Sequence, residues 1–169
     1  MKISLFLAMT VNGYIAREDG DSDWVNDEES FTSACRRSDV IIVGHNTFRQ
    51  YQGDLYPIAG VLNVVFTHDP VLLKTSTPDL IFTQKSPKEL ITDLEKDGRR
   101  ELLIVGGSHL AASFLKENLI TDIYLDVHPL MLGQGIKLCA DCDFEAALTL
   151  LEVTKLSNGL VQLHYSVNK

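Results

Sequence analysis

Two glycines and a serine stand where an apolar run meets a helical pattern, in the stretch 102–116, LLIVGGSHLAASFLK. The run of Leu, Ile and Val is typical of a buried strand, and the apolar residues after Ser108 recur at helical spacing. Gly106, Gly107 and Ser108 therefore lie at a strand-to-helix turn. Glycine has no Cβ and the first N–H groups of a helix lack internal partners, so such a turn can hold a phosphate. A tight turn that simply needs glycine is the alternative, because the complete GxGxxG and GxxxxGK[ST] motifs are absent.

The cysteines are a second group that could do chemistry. Cys139 and Cys142 form a CxxC motif in KLCADCDFE, and Cys35 stands apart. A zinc site would need four ligands, and the sequence offers neither a second CxxC nor an HxxxH. A redox pair would be expected to open a helix after a strand. We interpret the motif as two small residues in a turn and expect no metal site, and the odd number of cysteines fits a reducing compartment.

Length and charge limit the possible classes of protein. The chain has 169 residues and a formal net charge of −8, from 15 Lys and Arg against 23 Asp and Glu. This length predicts one domain, 1–169, with a core of its own. The negative charge argues against binding to nucleic acid or anionic membranes. No apolar run is long enough to span a membrane, and the first apolar stretch is too short for a secretory signal, so we expect a cytoplasmic protein.

Strand and helix patterns alternate over the first two thirds of the chain. Strands are predicted at 2–9, 39–43, 61–67, 79–83 and 102–107. Helices are predicted after Asn26 or Asp27, at 45–51, after Ser86 and after Ser108. The acidic stretch 10–24, with Gly13 and Gly20, is interpreted as a long mobile loop. Three strands then follow one another, at 121–129, 147–157 and 160–167, with Asn158 and Gly159 as a hairpin turn.

This order predicts an α/β fold with a mainly parallel central sheet, helices on its faces and a C-terminal antiparallel hairpin. In such sheets the ligand binds in the crevice beyond the carboxyl ends of the strands. Three features are expected to meet there: the loop after the first strand, the turn at Gly44, and the turn at Gly106 and Gly107.

Three stretches resemble the dihydrofolate reductase-like superfamily. They are MTVNGYIAREDGDSDWV, DVIIVGHNTFRQY and the long block IVGGSHLAASFLKENLITDIYLDVHPLMLGQGIKL. The chain looks most like the reductase domain of the bifunctional riboflavin-biosynthesis deaminase/reductase and its small stand-alone bacterial relatives. The resemblance covers almost the whole chain and implies the three-layer fold of dihydrofolate reductases. It also implies a homodimer, for which the apolar stretch TDIYLDVHPLML is a candidate surface.

The resemblance further implies NADPH as the cofactor, bound across the carboxyl ends of the strands. The pyrophosphate is expected near two turns, formed by Gly44, His45, Asn46 and Thr47 and by Gly106, Gly107, Ser108, His109 and Leu110. The 2′-phosphate is expected near Thr67 and His68, and the nicotinamide against Ala8, Ile15 and Val105. Dihydrofolate reductases join the paired glycines by a cis peptide, so we expect one here.

Two departures from the family pattern concern the ligands. His45 stands where dihydrofolate reductases have Arg, which leaves the choice between NADPH and NADH open. Asn12, Gly13 and Tyr14 replace the Asp-Gly-Lys of the reductase domain. The carboxylate and the cation that would meet a ribityl-phosphate-type substrate are therefore missing, so the resemblance does not identify the substrate.

The substrate side is expected to draw on acids at the start of the first predicted helix. Dihydrofolate reductases hold the pterin with one acid on that helix, and Glu28 or Asp27 stands at about that place. An exposed helix start explains these carboxylates equally well. Asn12, Trp24 and Gly133 are candidate substrate contacts. Trp24 is equally consistent with a core position, and Gly133 with a simple turn.

Two functions remain open at this point. The first is an NADPH-dependent reductase that transfers a hydride to a small pterin- or pyrimidine-like heterocycle, with water or a loop acid as the proton source. The second is a catalytically inactive nicotinamide-nucleotide-binding protein that acts as a sensor or an assembly module. Both require the two glycine turns to bind the cofactor.

Overall fold

The computed structural model describes residues 1–26 and 28–168. The strands are β1 (Lys2–Thr10), β2 (Tyr14–Ala16), β3 (Val40–Gly44), β4 (Leu62–Phe66), β5 (Leu80–Thr83), β6 (Glu101–Ile104), β7 (Asp122–His128), β8 (Ile136–Lys137), β9 (Leu148–Lys155) and β10 (Val161–Val167). The helices are α1 (Glu28–Arg36), α2 (His45–Gln50), α3 (Pro87–Lys96) and α4 (Ser108–Lys116). Two short 3₁₀ helices span Leu72–Lys74 and Ser157–Gly159.

Eight strands form the main sheet in the order β5-β4-β3-β6-β1-β7-β10-β9. The first six are parallel to one another, and β10 and β9 add antiparallel strands at one side. This arrangement confirms the predicted α/β fold, with a mainly parallel sheet and a C-terminal antiparallel hairpin. Asn158 and Gly159 take φ values of 57° and 78° at the reversal between β9 and β10, as the hairpin prediction requires.

Two apolar clusters cover the two faces of this sheet, which makes the fold three-layered. The first cluster contains Leu90, Ile91 and Leu94 of α3 and Leu110, Phe114 and Leu115 of α4, packed on alternate residues of the strands. The second contains Ala34 and Cys35 of α1 and Phe48 of α2, on the other set of alternate residues. Because β3, β4 and β6 are buried on both faces, their sequences are mainly apolar. The exception inside β4 is the buried Asn63, whose side chain bonds the backbone of Ile58 and Val61.

The stretch after β1 differs from the predicted loop because part of it is a strand. β2 pairs antiparallel with β8, at Tyr14 with Lys137 and at Ala16 with Ile136. The two strands are three and two residues long, too short for a periodic pattern to indicate them. This small sheet ties the segment after β1 to the segment after β7.

The candidate dimer surface TDIYLDVHPLML is mostly an interior strand, whose two edges are paired within the chain. β7 forms most of this stretch and lies between β1 and β10 in the main sheet. Among the described strands, β9 is the one that ends the sheet on this side and leaves large apolar side chains exposed. No helix in the described part of the chain combines the length and the apolar character that crossing a membrane requires.

Candidate active site

The two glycine turns lie side by side at the carboxyl edge of the sheet. β3 and β6 are parallel neighbours, with Ile42 beside Ile104, so their ends meet. The N–H of Gly44 donates to the carbonyl of Gly106 at 2.8 Å. Since α2 begins at His45 and α4 at Ser108, two helix starts also face this edge.

The turns approach each other too closely for larger residues. A Cβ on Gly107 would lie 3.3 Å from Thr47 Oγ1, and one on Gly44 would lie 3.4 Å from the backbone nitrogen of Gly107. Gly106 has a φ of +120°, and the Gly106–Gly107 peptide is cis, as expected. Backbone conformation therefore favours glycine at 106, and close packing against Thr47 favours it at 107.

An anionic group fits the start of α4. The first helical bond there runs from the N–H of Ala111 to the carbonyl of Gly107 at 3.0 Å. The N–H groups of Ser108, His109 and Leu110 precede that bond and therefore have no intrahelical partner. With no Cβ on Gly107, a phosphate can approach these groups closely. The nine-residue helix also presents the positive end of its dipole here.

The end of β4 adds polar groups beside the same turns. Thr67 is buried, and its hydroxyl lies 2.8 Å from Nδ1 of His45. The same oxygen accepts from the N–H of Asp69 at 3.0 Å. His45 is thus held against the turn that follows β4, while His68 is exposed. Asn46 is also exposed, and Thr47 lies between the two glycine turns.

The three apolar residues expected around the nicotinamide lie on different elements. Ala8 is half-buried near the end of β1, beside Asp126 of β7. Val105 is buried in the second cluster, whereas Ile15 packs against the first. Ala8 and Val105 thus lie at the carboxyl edge of the central strands, and Ile15 lies on the small sheet next to it.

Asn12 and Gly133 lie on the two segments that follow β1 and β7. The amide of Asn12 bonds both backbone groups of Leu132, donating to the carbonyl at 2.7 Å and accepting from the N–H at 3.2 Å. Gly133 is exposed, and a Cβ on it would meet no atom within 4 Å. A Cβ on Gly135 would lie 2.4 Å from the carbonyl oxygen of Ala16. The pairing of β2 with β8 thus accounts for a glycine at 135.

Glu28, one of the two predicted site acids, is not the most buried carboxylate of this region. Glu28 is exposed at the first residue of α1, and Asp27 lies outside the described residues. Asp126 of β7 is 0% exposed and was missed by the sequence reasoning. Its Oδ1 accepts from Nε2 of Gln162 at 2.8 Å, and the same nitrogen donates to the hydroxyl of Ser30 in α1 at 2.8 Å. Asp126 and Gln162 thereby connect the sheet to α1.

Trp24 is half-buried at the same side of the sheet. Its ring meets the ring of His128 edge to face, with centroids 5.1 Å apart. His128 is the last residue of β7 and lies beside Thr10, the last residue of β1. His128 is buried, as a packed residue at the end of a strand would be.

The CxxC motif is a turn against the start of α4. Ala140, between the two cysteines, donates its N–H to the carbonyl of Ser108 at 3.2 Å. Burial, with a smaller contribution from nearby Cys142, raises the pKa of the Cys139 thiol to about 11. This thiol is protonated at neutral pH and is a poor nucleophile. Among the described residues, no three His, Cys, Asp or Glu side chains lie close enough together to bind a metal ion.

Comparison with known proteins finds relatives that match most of the length of this chain. The chain is 28% identical over 171 residues to the uncharacterized protein YwjB of Bacillus subtilis, covering 97% of each sequence. It is also 28% identical over 157 residues to the riboflavin biosynthesis protein RibD of Corynebacterium ammoniagenes. That match covers 82% of this chain and 46% of the RibD sequence.

Solved structures share the fold at lower sequence identity. A protein ascribed to riboflavin biosynthesis, from Shewanella sp. PV-4, superposes with a TM-score of 0.83 at 23% identity, over 100% of both chains. A Thermotoga maritima diaminohydroxyphosphoribosylaminopyrimidine deaminase/5-amino-6-(5-phosphoribosylamino)uracil reductase gives a TM-score of 0.79 at 17% identity. In that comparison 99% of this chain covers 56% of the larger one.

A family model identifies the domain. The model of the RibD C-terminal domain matches residues 1–162, which include both glycine turns, Asp126 and every strand of the main sheet except most of β10. The match agrees with the reductase-like α/β architecture described above. This chain belongs to the RibD C-terminal domain family.

Proposed function

We propose that this chain is an NADPH-dependent reductase that transfers a hydride to a flat heterocycle of the pyrimidine or pterin type. The observation that carries the proposal is the pair of joined glycine turns at the carboxyl edge of a RibD C-terminal domain. The reductase title of the Thermotoga structure and the riboflavin role of the Corynebacterium relative support the substrate class. Their substrates are not transferred to this chain, because Asn12 and Tyr14 replace the charged residues expected there.

The cofactor is assigned to groups of this chain that fit its phosphates and its ring. When bound, NADPH supplies the hydride from its nicotinamide. The N–H groups at the start of α4 hold the pyrophosphate, with Thr47 from the neighbouring turn. His45, held by Thr67, and the exposed His68 face the end that carries the 2′-phosphate. Ala8 and Val105 exclude water beside the nicotinamide, which favours hydride transfer.

The reduction of a C=N or C=O group also consumes a proton. Glu28 and Asp27 remain the predicted acids, and Asp126 is a third carboxylate on the α1 side of the sheet. Asp126 is connected to α1 through Gln162 and Ser30, so it orients that helix against β7. We assign the proton to water or to a carboxyl group of this set, on the face of the sheet covered by α1. The three cysteines are free thiols, which fits a cytoplasmic enzyme.

Calorimetric titration with NADPH and NADH in parallel tests the cofactor assignment. We expect micromolar binding with a preference for NADPH. Oxidation of NADPH, followed by absorbance with a panel of pyrimidines and pterins, then tests turnover. Binding without turnover of any substrate in the panel would favour the inactive nucleotide-binding protein. The absence of binding to either nucleotide would overturn both functions.

The same proposal includes a homodimer. The edge strand β9 leaves four large apolar side chains exposed, namely Leu148 (41%), Leu150 (51%), Leu151 (54%) and Val153 (57%). Leu148, Leu150 and Val153 pair with Val167, Tyr165 and Leu163 of β10 and therefore share one face of the hairpin. A contiguous apolar surface on a long edge strand is typical of an interface. We infer that a second copy of this chain covers it.

Sedimentation velocity tests the dimer. We expect the wild-type protein to sediment as a dimer and Leu150→Glu as a monomer, because a carboxylate would be buried in the interface. Val71→Glu is the matched control, since Val71 is 68% exposed and lies beyond β4, on the far side of the sheet. A monomeric wild-type protein, or a dimer unaffected by Leu150→Glu, would show that β9 is not the interface.

A further inference from the structure

His128 makes two hydrogen bonds that define how its ring is used. Its Nε2 faces the backbone N–H of Asn26 at 3.1 Å, and its Nδ1 faces the carbonyl oxygen of Asp126 at 3.0 Å. A backbone N–H can only donate, so Nε2 is the acceptor. A carbonyl oxygen can only accept, so Nδ1 carries the proton. The geometry thus selects the neutral ring with one tautomer, in a residue that is 2% exposed.

The bond from Asn26 anchors the second half of the segment between β2 and α1. The first half is held by Arg17, whose guanidinium lies 2.6 Å from Asp21 and 2.5 Å from Asp23. Ser22 forms a hydrogen bond with the hydroxyl of Tyr51, just after α2. Those contacts lie before Trp24. His128 contacts both Trp24 and Asn26, and so it connects this part of the segment directly to the main sheet.

Trp24 presents a polar group that the described residues leave without a partner. Its indole Nε1 is buried and makes no hydrogen bond to any of the described residues. A buried donor without an acceptor is costly and rare in native structures. Trp24 lies against His128, which ends β7 beside the end of β1, next to the carboxyl edge that we assign to the ligands. An acceptor on a bound molecule would satisfy this N–H.

We infer that His128 is a positioning residue that fixes Trp24 so that its indole N–H meets an acceptor on the substrate ring. This inference rests on the proposed function. His128 itself does not touch the substrate. It acts through the Asn26 N–H and the edge-to-face contact with Trp24. A ring carbonyl or an unprotonated ring nitrogen is the kind of acceptor that this N–H would bind.

The single tryptophan of the chain makes the positioning directly measurable, because intrinsic emission reports on Trp24 alone. We expect His128→Ala to shift this emission to the red and to increase its quenching by acrylamide. His128→Gln is the matched variant, since its amide oxygen can still accept from Asn26. We expect it to stay near the wild type in both measurements. Equal emission in the wild type and His128→Ala, or equal changes in both variants, would overturn the inference.

Steady-state kinetics distinguish a positioning role of His128 from a general effect of its replacement on the stability of the protein. We expect His128→Ala to raise the KM for the substrate about tenfold, the equivalent of one hydrogen bond, with the affinity for NADPH unchanged. Trp24→Phe removes the N–H but keeps an aromatic ring, and it should raise KM to a similar extent. In a Trp24→Phe background, His128→Ala should then add little. Fully additive effects, or a parallel loss of NADPH affinity, would show that His128 is merely structural.

The emission measurements require no turnover, so the two proposals can fail separately. If the wild-type protein bound no nicotinamide nucleotide, the proposed function would fall, and the emission of His128→Ala would still decide whether His128 fixes Trp24. If NADPH bound and turned over while the emission of His128→Ala matched the wild type, only the positioning role would be lost.

Discussion

The two ends of the main sheet are built from different kinds of residues. At the end where β1 and β7 begin, Asp122 accepts from His164 at 2.8 Å, and the ammonium of Lys2 lies 3.5 Å from the same carboxylate. At the end where β3 and β6 finish, Gly44 and Gly107 bring two backbone turns into contact. The amino end of the sheet thus pairs side chains of opposite charge, whereas the carboxyl end leaves backbone groups accessible to a ligand.

From this difference we infer that the amino end of the sheet stabilises the fold, whereas the carboxyl end provides the groups that can bind a ligand. The carboxylate of Asp122 is half-buried and already bonded by Thr121 and His164, so it contributes to stability. The N–H groups at the start of α4 have no helical partner, so they are available to bind a ligand. Changes at the carboxyl end should therefore alter affinity, and changes at the amino end should alter the free energy of unfolding.

The largest effect is expected from Gly107→Val, which places a branched side chain against Thr47. We expect the affinity for NADPH to fall about a hundredfold, or about 2.7 kcal/mol, as titration calorimetry would show. Gly107→Ala should lower the affinity for NADPH less than Gly107→Val does. Added to Thr47→Ala, Gly107→Ala should lower the affinity of that variant hardly any further, because the hydroxyl 3.3 Å from the new Cβ is then absent. Unchanged affinity in Gly107→Val would mean that the phosphates bind elsewhere.

The second largest effect is expected from Gly135→Ala. Gly135 also lies near the carboxyl end of the sheet, but it is required for close packing and not for ligand binding. Gly135→Ala would place a Cβ 2.4 Å from the carbonyl of Ala16. We expect the free energy of unfolding to fall by about 2 kcal/mol in urea titrations, as for other overpacked sites. Gly133→Ala is the matched control, since its Cβ would meet no atom within 4 Å. Equal stability of the two variants would contradict the β2–β8 contact.

A smaller effect is expected at the amino end from Asp122→Asn. Burial alone would raise the pKa of Asp122, but hydrogen bonds from His164 and Thr121 and the nearby Lys2 together lower it. The folded-state pKa is below the unfolded one, so the stabilisation is present above about pH 4 and is lost as the pH falls further.

We expect Asp122→Asn to lose about 1.5 kcal/mol at pH 7 and progressively less below pH 4, while NADPH affinity stays the same. Urea unfolding at several pH values measures this change, with the exposed Asp143→Asn as the control. An equal loss of stability at acid and neutral pH would show that the ionised carboxylate of Asp122 is not responsible.

The smallest effect is expected from Asp39→Ala, also at the amino end. Asp39 accepts from the N–H groups of Arg100 at 2.8 Å and Glu101 at 3.0 Å, and these bonds lower its pKa. Water can replace the lost acceptor at this partly exposed site, so we expect a loss of about 1 kcal/mol in urea unfolding. A change in NADPH affinity would contradict our inference that the amino end contributes to stability and the carboxyl end to binding.

The sequence predicted the parts of the fold that have strong local signals. Mainly apolar runs predicted β3, β4 and β6, and Ser86 with Glu89 predicted the capping box that begins α3. The glycine turns were predicted to be adjacent because the carboxyl ends of parallel strands share one edge. These inferences depend on neighbouring residues or on the general geometry of α/β sheets.

Asp126 shows why part of the site was missed. In β7 the residues Asp122, Tyr124, Asp126 and His128 alternate with Ile123, Leu125 and Val127. Such alternation is typical of a strand with one face in water, so nothing in the local pattern indicates that Asp126 is buried. In the structure that face is covered near Asp126, where Gln162 links it to Ser30 of α1. Burial there results from contacts between residues far apart in sequence.

The position of β1 in the main sheet affects the order in which the chain can fold. β1 precedes the other strands of this sheet along the chain, yet its two neighbours in the sheet are β6 and β7, which begin at Glu101 and Asp122. During synthesis β1 must remain unpaired until about a hundred more residues have followed it, and pairing across such separations is slow. The carboxyl edge that we assign to NADPH is therefore assembled late, when β7 joins β1.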